Sequence, residues 1–482
     1  MKKIFTLSLG TLFFSVIAFA QSSSIYGTCG WGGSMNWGTI VKGNGDGSGF
    51  QPVYNFDNTN GAEPVGGLCL ADNGKLYGVT YLGGYGDSCV CFEYDTSTGT
   101  YTKFYDLFQD ISQGWDAWSA MMKADDGNLY GLCAAGGLNS AGVIYRIDPN
   151  TDTYTAIYHM NSAQGGSPFG GLIQLSDGKL YGMTSYGGAH NAGAIFSYDP
   201  LTGTYIDLYD LKMQTGGMPM YGSLLKATDG KLYGMTQSGG ANYDSLSFNY
   251  NSGVIFSYDL VSGVYTDLYD FDSTHGSSPY GGLMQASNGL LYGMTYSGGA
   301  NNMGVVFSFD ITNNSFQLLH SFEGTDGAYP RRNLTETSNG KLYGCTSNGG
   351  ANGSGTFFSF DISSNQLTTL VSCDATFGTS PDCDIIETGV VAHGDNAATL
   401  TNTSSALTIY PSPASKEISL FANSISENDL ISVMDVTGKV ILQKNATTNH
   451  MANLNVSSLS SGIYFVEVKT LSGTLSKKFV KL

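Results

Sequence analysis

The chain has 482 residues and a formal net charge of −18, with 66 glycines, 31 tyrosines and 25 phenylalanines. So acidic a chain repels nucleic-acid phosphates and anionic lipid, which argues against both as partners. Abundant glycine beside many aromatic residues favours short strands and tight turns over helices.

At the start, Lys2 and Lys3 precede an apolar run from Ile4 to Phe19, and Ala18-Phe19-Ala20 stands before Gln21. This pattern predicts a secretory signal over residues 1–20, too short and wrongly flanked for a membrane anchor. No later stretch reaches the ~18 apolar residues needed to span a bilayer, so no transmembrane segment is expected in the mature chain. The last 75 residues hold seven Lys against five Asp and Glu, which places the acidity in the body before them.

A Leu/Ile-Tyr-Gly phrase, followed by a Gly-Gly doublet, returns seven times in that body, at Tyr26, Tyr77, Tyr130, Tyr181, Tyr233, Tyr292 and Tyr343. The spacings are 51, 53, 51, 52, 59 and 51 residues, and a period near fifty suits a β-propeller blade. One copy reads as four strands: Gly282–Ala286, Leu290–Thr295, Val305–Asp310 and Ser315–His320. Asn288-Gly289 turns the first hairpin, because both residues tolerate positive φ. Apolar residues at consecutive positions need cover on both faces, as blades stacked on two neighbours provide. The expected fold is all-β: a seven-bladed β-propeller of four-stranded blades over residues 21–389. The chain enters on a second strand at Ile25-Tyr26-Gly27. Pro381 to Ile386 aligns with Pro279 to Met284, and so supplies the missing first strand and closes the ring.

The phrases Gly178-Lys179-Leu180-Tyr181-Gly182-Met183-Thr184, Gly187-Gly188 and Ala194-Ile195-Phe196-Ser197-Tyr198-Asp199 resemble the GloVer-type tandem repeat of secreted bacterial proteins. Through the Gly-Gly doublet they have a looser likeness to kelch blades. The resemblance implies a repeat architecture and no particular activity.

Residues 390–405 have a linker composition of Ala, Asn, Thr, Ser and Gly. Beyond them, residues 406–482 read as a small β-sandwich, with runs at Ala406–Tyr410, Glu417–Phe421, Leu430–Val436, Lys439–Gln443, Gly462–Val468 and Leu475–Val480. This tail is similar to the C-terminal sorting domain of the type IX (Por) secretion system. The likeness rests on Tyr410-Pro411-Ser412-Pro413, on Asp435 to Lys439 with Gly438, on Leu459 to Tyr464 with Gly462, and on a basic ending with Lys481. Ser412 stands where the pattern usually has Asn. The resemblance implies export to the medium or the cell surface through that machinery.

Candidate contacts follow from the loops. Strands alternate direction, so the second-to-third and fourth-to-first loops emerge on one face, and ligand sites favour a loop-rich face. Between Gly240 and Gly253 one copy carries eight extra residues, including Tyr243, Asp244 and Tyr250. Aromatic and amide groups of that kind stack on sugar rings and bind hydroxyls; the alternative is a tolerated insertion. The residue after the loop proline varies by blade: Val65, Trp118 (in the copy lacking the proline), Phe169, Met220, Tyr280, Arg331 and Asp382. Trp115, Trp118, Tyr280, Arg331 and Arg332 are the further candidates for ligand contact. The Arg pair could hold a ligand carboxylate such as that of a uronic acid, or pair with Asp326. An acid four residues before a glycine recurs at Asp57, Asp110, Asp272, Glu323 and Asp374; it caps the loop or, alternatively, binds calcium. No metal site is otherwise expected, and no cofactor. The six histidines form no catalytic motif, although Asp87, Asp116 and Asp244 could supply a carboxylate pair for glycoside cleavage. Eight cysteines in an exported chain permit disulfides; Cys373 and Cys383 flank one loop and could pair, while Cys89 and Cys91 are too close to do so. The leading expectation is a non-enzymatic binder of extracellular glycan or protein, against a glycan-cleaving enzyme or a purely structural surface protein.

Overall fold

The computed structural model describes residues 23–242, 252–389, 408–410, 417–421, 429–435, 439–446, 451–460, 462–470 and 473–481. The expected signal at 1–20 and linker at 390–405 lie outside them. The chain divides into two compact units, one holding the repeats and one the tail.

Seven antiparallel sheets make up the repeat unit, six of four strands and one of five, in which two short segments share the first-strand place. We number them blades 1 to 7 by the chain order of their second strands. Blade 6 has strands Met284–Gln285, Leu291–Thr295, Val305–Asp310 and Ser315–Ser321, within a residue or two of the expected positions except for a shorter first strand. Blade 1 draws on both ends of the unit. Its second strand, Ser24–Trp31, pairs with Ile386–Thr388 (Ile25 opposite Glu387) and with Thr379–Pro381 (Cys29 opposite Pro381). The ring is therefore sealed where the sequence pattern places the seam, which removes the edges an open array would expose.

Each recurring residue has a packing role. The tyrosine of the phrase is buried, and in blade 5 the Tyr233 hydroxyl donates to Asp229 Oδ2 at 2.8 Å, tying the strand to its own hairpin turn. The same bond recurs at Tyr130 and Tyr181, and Asn288 and Asn339 donate to Tyr292 and Tyr343. The following glycine lies under an aromatic ring of the third strand: a Cβ on Gly234 would fall 2.4 Å from Phe256 Cζ. The Gly-Gly doublets take positive φ at both residues, 73° at Gly187 and at Gly188, where a side chain would be strained.

Neighbouring blades are joined by rings. Tyr265, second in the fourth strand of blade 5, stacks on Tyr209 of blade 4 at 4.5 Å and donates its hydroxyl to Thr215 O at 2.8 Å. Tyr54–Tyr101, Tyr105–Tyr154, Tyr158–Tyr205 and Tyr269–Phe316 repeat the stack. Such pairs contribute about 0.5–1.5 kcal/mol each beyond area burial, which accounts for the aromatic-rich composition. The pairing of third with fourth strand shifts register by one residue in every blade, a β-bulge that turns the outer strand.

The tail has a three-stranded sheet, in the order Thr408–Tyr410, Glu417–Phe421, Met451–Asn455, and a four-stranded one, Val440–Asn445, Leu430–Asp435, Gly462–Thr470, Gly473–Lys481. Ile418, Leu420 and Leu454 from one sheet and Ile431, Val433, Val466 and Val468 from the other share one core, as a sandwich requires. The strand Met451–Asn455 escapes the sequence pattern because polar residues interrupt its apolar ones. Tyr464 donates its hydroxyl to Ser460 O at 3.0 Å, and Lys481 is buried. Tyr410 and Gly462 lie in strands; Pro411, Pro413 and Gly438 lie outside the described residues. Among the described residues no helix is long and apolar enough to cross a membrane.

Candidate binding site at the ring mouth

The residue before the loop proline, or its equivalent, adopts a left-handed backbone in every blade: Glu63, Asp116, Ser167, Met218, Ser278, Tyr329 and Ser380 have φ between 48° and 67°. Backbone bonds from the preceding blade's loop and from the end of its own blade's second strand hold it there. Ser278 N donates to Ser252 O of the preceding loop at 2.9 Å, and Tyr296 N donates to Ser278 O at 3.1 Å. The fourth-to-first loops thus join the ends of the second strands on one face, through bridges such as Ser277 to Ser297 and Gly217 to Ser238.

Next to these kinks the chain segments crowd together. A Cβ on Gly170 would lie 2.1 Å from Gly222 O, on Gly222 2.5 Å from Gly281 O, and on Gly281 2.5 Å from Arg332 O. The ring's inner segments therefore touch where glycine alone fits, and Arg332 occupies the corresponding position in blade 7. It is 2% exposed. Its Nε pairs with Asp382 Oδ1 of blade 1, its Nη1 donates to Trp118 O of blade 3 at 2.7 Å, and its guanidinium lies 4.3 Å over the Tyr221 ring. One side chain thus ties together segments from opposite sides of the ring. Half-buried Asp384 beside it has its carboxyl pushed up to about 6, by loss of solvation first, with Arg332 pulling the other way.

Around this plug runs an arc of half-buried rings. Tyr81 meets Trp118 at 4.4 Å, Trp118 meets Tyr221 at 5.6 Å, and Tyr221 meets Tyr280 at 5.8 Å. Tyr280 then stacks on Tyr296 at 4.6 Å, and Tyr296 meets Tyr329 at 5.1 Å. Polar groups edge the arc: Trp118 Nε1 donates to Asp116 Oδ1 at 2.7 Å, Gln237 Nε2 donates to Tyr280 OH at 3.3 Å, and Arg331 lies 5.5 Å over Tyr296. Beside Arg331 is a cavity of about 220 Å³ lined by Trp31, Glu63, Ser347, Ser380 and Asp382. Burial, and then Asp382, push the Glu63 carboxyl up to about 7, against a bond from Trp31 and the charge of Arg331. Burial likewise raises Asp116, opposed by the Trp118 N–H. A larger open hollow at Ser23, Asn44, Gly45 and Asp46 has no aromatic wall.

The structure brings Trp118, Tyr280 and Arg331 together at the mouth. Arg332 sits there too, but as the buried plug, and the Arg pair holds Asp382 of its own chain instead of Asp326. Asp326 accepts from His320 Nε2 at 2.7 Å and from Glu323 N at 2.8 Å. Trp115, 36% exposed, packs edge-on against Phe108. Asp87 is exposed on the turn Tyr85–Asp87, and Tyr243, Asp244 and Tyr250 lie outside the described residues. The loop acids act as caps: Asp272 accepts from Thr274 N and His275 N, and Asp374 from Thr376 N and Phe377 N, at 2.7–2.8 Å. Glu323 departs from that pattern, since Asp326 caps its loop instead. Among the described residues no group of three or more His, Cys, Asp or Glu side chains is arranged to hold a metal ion.

Tyr81, Tyr221, Tyr296, Tyr329 and Glu63 were not singled out by the sequence pattern. Tyr221 leaves one trace: it is an extra residue between Met220 and Gly222, the source of the single 52-residue spacing. Tyr81 and Tyr296 follow the threonine at or near the end of the second strand, a position held elsewhere by Gly30, Ala134, Ser185, Gln237 and Ser347.

A closed ring of seven repeats with one aromatic mouth, joined to a small sandwich, defines a tandem-repeat β-propeller protein. The chain belongs to the Gloeobacter/Verrucomicrobia repeat family, whose model matches residues 14–248 and 223–407. Residues 408–482 match the secretion system C-terminal sorting domain. The protein is accordingly cargo for type IX export, secreted or held at the cell surface. No curated protein matches the chain in sequence. Among solved structures, a "putative 6-phosphogluconolactonase" from Bacteroides fragilis is similar at 16% identity and TM-score 0.50, covering 77% of this chain and 99% of its own. One described in the same words from Bacteroides uniformis has 13% identity and TM-score 0.48, covering 76% and 99%. At such identity the likeness of the first shows the fold alone.

Proposed function

We propose that the protein binds an extracellular glycan at the ring mouth and does not turn it over. The carrying observation is the unbroken arc from Tyr81 to Tyr329, six half-buried rings edged by Asp116, Gln237 and Arg331. Aromatic rings offer flat apolar faces to the C–H faces of sugars, while the edging groups hydrogen-bond hydroxyls. The rigid ring holds these groups before the ligand arrives, which lowers the entropy cost of binding. A carbohydrate-array screen with the purified chain, followed by calorimetry on any hit, tests the reading. Trp118→Ala or Tyr296→Ala is expected to weaken binding about tenfold, the equivalent of one stacking contact. An empty array, or a hit indifferent to both variants, would refute it.

A second reading rests on one observation: Glu63 and Asp116, equivalent residues of blades 2 and 3, both have carboxyls raised by burial. A raised carboxyl is a general acid poised for glycoside cleavage. Release of shortened sugars from a bound glycan, abolished by Glu63→Gln, would favour this reading over simple binding.

A further inference from the structure

All eight cysteines are buried, and they fall into two sets of four at two blade interfaces. Cys69, Cys89, Cys91 and Cys133 lie in the core between blades 2 and 3. Cys29, Cys345, Cys373 and Cys383 lie in the core between blades 7 and 1, where the ring closes.

Within the closure set, Cys345 and Cys373 of blade 7 pack in one core with Cys29 and Cys383 of blade 1, all four as free thiols. Cys345, in the strand Lys341–Thr346, has its Sγ 3.3 Å from Cys383 O, and Cys383 lies between the two closing segments. Cys373 follows the strand Gln366–Ser372 directly, and Cys29 lies in Ser24–Trp31, packed where Gly378 leaves room: a Cβ there would fall 2.6 Å from Cys29 Cβ. The sequence suggests Cys373 with Cys383 because they flank one loop; the packing gives each a different neighbour.

We propose that the exported protein carries two disulfides, Cys29–Cys373 and Cys345–Cys383, which lock the last blade to the first, while the other four cysteines stay reduced. A sorting tail takes the chain out of the reducing cytoplasm, and compartments beyond it let disulfides persist. In each step two thiols lose two protons and two electrons and one S–S bond forms. The electron pair and the protons pass to a disulfide, that of a thiol–disulfide exchange catalyst, which is cleaved to two thiols. The seam is where such a bond matters most, because Cys29 and Cys373 enclose nearly the whole ring and a long closed loop restricts the unfolded chain.

Supporting contacts separate the two sets. The Cys29 thiol is held up by burial and then by its bond to the Cys373 thiol, and the Cys345 thiol by its bond to the Cys383 thiol and by burial. In the other set the thiols of Cys89 and Cys91 lie near enough to Cys133 to raise it after burial, but the thiol bonds run to other groups: Cys89 Sγ donates to Tyr81 O at 3.5 Å, and Cys133 Sγ lies 3.8 Å from the Tyr154 hydroxyl.

The test uses the full chain recovered after export, denatured without reductant, alkylated, and cleaved on the N-terminal side of aspartate. Asp361, Asp374 and Asp382 then separate Cys345, Cys373 and Cys383 into different peptides. Mass spectrometry is expected to find Cys29 linked to Cys373 and Cys345 linked to Cys383, with four of the eight cysteines alkylated and all eight alkylated only after reduction. Eight alkylated cysteines without reductant, a Cys373–Cys383 link, or any link within the other set would overturn the proposal. Because the mapping needs no substitution, misfolding of a variant cannot confuse it.

Discussion

Arg332→Met tests the axial plug. The substitution keeps an unbranched side chain of similar reach but removes the ion pair with Asp382, the bond to Trp118 O and the contact over Tyr221. Buried Asp382 and half-buried Asp384 then have less positive charge beside them. Breaking a buried pair from one side typically costs about 3–5 kcal/mol; Arg331 remains 3.5 Å from Asp382, so we expect about 3 kcal/mol. The sign of the pH dependence follows from Asp384. Its carboxyl already stands at about 6 with Arg332 lowering it, above the ordinary value of 3.8, and loss of Arg332 moves it further up. A raised carboxyl weighs against folding as pH rises from the unfolded value through the folded one. The deficit is therefore larger at pH 7.5 than at pH 5. Urea unfolding followed by tryptophan fluorescence reads the ring alone, because Trp31, Trp37, Trp115 and Trp118 all lie in the repeats. A loss below about 1 kcal/mol at pH 7.5, or one equal at both pH values, would refute the argument.

Burial and then Asp270 raise the Asp267 carboxyl to about 7. Its folded value lies above the unfolded one, so stability is lost as pH climbs from about 4 to 7; Asp267→Asn should recover about 1–2 kcal/mol at pH 8 after discounting for solvent screening, and nothing at pH 4. At the equivalent place in blade 2, Lys103 pairs with Asp106 at 3.0 Å, so Asp267→Lys should stabilise at pH 8 as well; a fall in melting temperature would contradict this. Gly234→Ala sets a methyl against Phe256 and should cost about 1–3 kcal/mol by overpacking, partly relieved by adding Phe256→Leu, with thermal unfolding as the readout. Met218→Gly relieves a left-handed backbone at φ 55° and should gain about 0.5 kcal/mol once glycine's extra unfolded freedom is subtracted. Lower stability in that variant would mean that the Met218 side chain packs structurally.

The frame was legible because it is repeated. Tyr-Gly, Asx-Gly and Gly-Gly recur with the period, and each has one physical reason: a hydroxyl tied to its turn, a ring lying over a missing Cβ, or a left-handed backbone. The seam was legible for the same reason, since Pro381 to Ile386 is a displaced copy of a first strand. The mouth was only partly legible. Trp118 and Tyr280 stand out at a position that varies within a fixed frame, but Tyr81 and Tyr296 look like ordinary strand residues until the fold brings Trp118 of the next blade onto the one and Tyr280 of the same blade onto the other. Arg332 misled because an arginine beside a second arginine on an acidic body suggests a ligand carboxylate. The carboxylate it holds is fifty residues further on, Asp382, and only the closed ring makes them neighbours.

The same geometry explains how a repeat becomes a site. Every blade presents one left-handed residue, one variable residue after the loop proline and one strand-end residue at the same place on the ring, all fixed by backbone bonds that do not depend on the side chain. These positions are free to differ, and they do: Glu63, Asp116, Ser167, Met218, Ser278, Tyr329 and Ser380 share a backbone conformation and little chemistry. Two of them, Met218 and Tyr329, are poor residues for that conformation, and strain of this kind persists where the surroundings over-determine it. The substitutions are also unevenly placed. The aromatic arc runs from Tyr81 of blade 2 through blades 3, 5 and 6 to Tyr329 of blade 7, whereas Glu63, Asp382 and Arg331 gather at the junction of blades 7, 1 and 2. The mouth therefore carries flat rings around much of its circumference and a charged notch where the two ends of the arc approach each other, an asymmetry that seven identical blades could not produce.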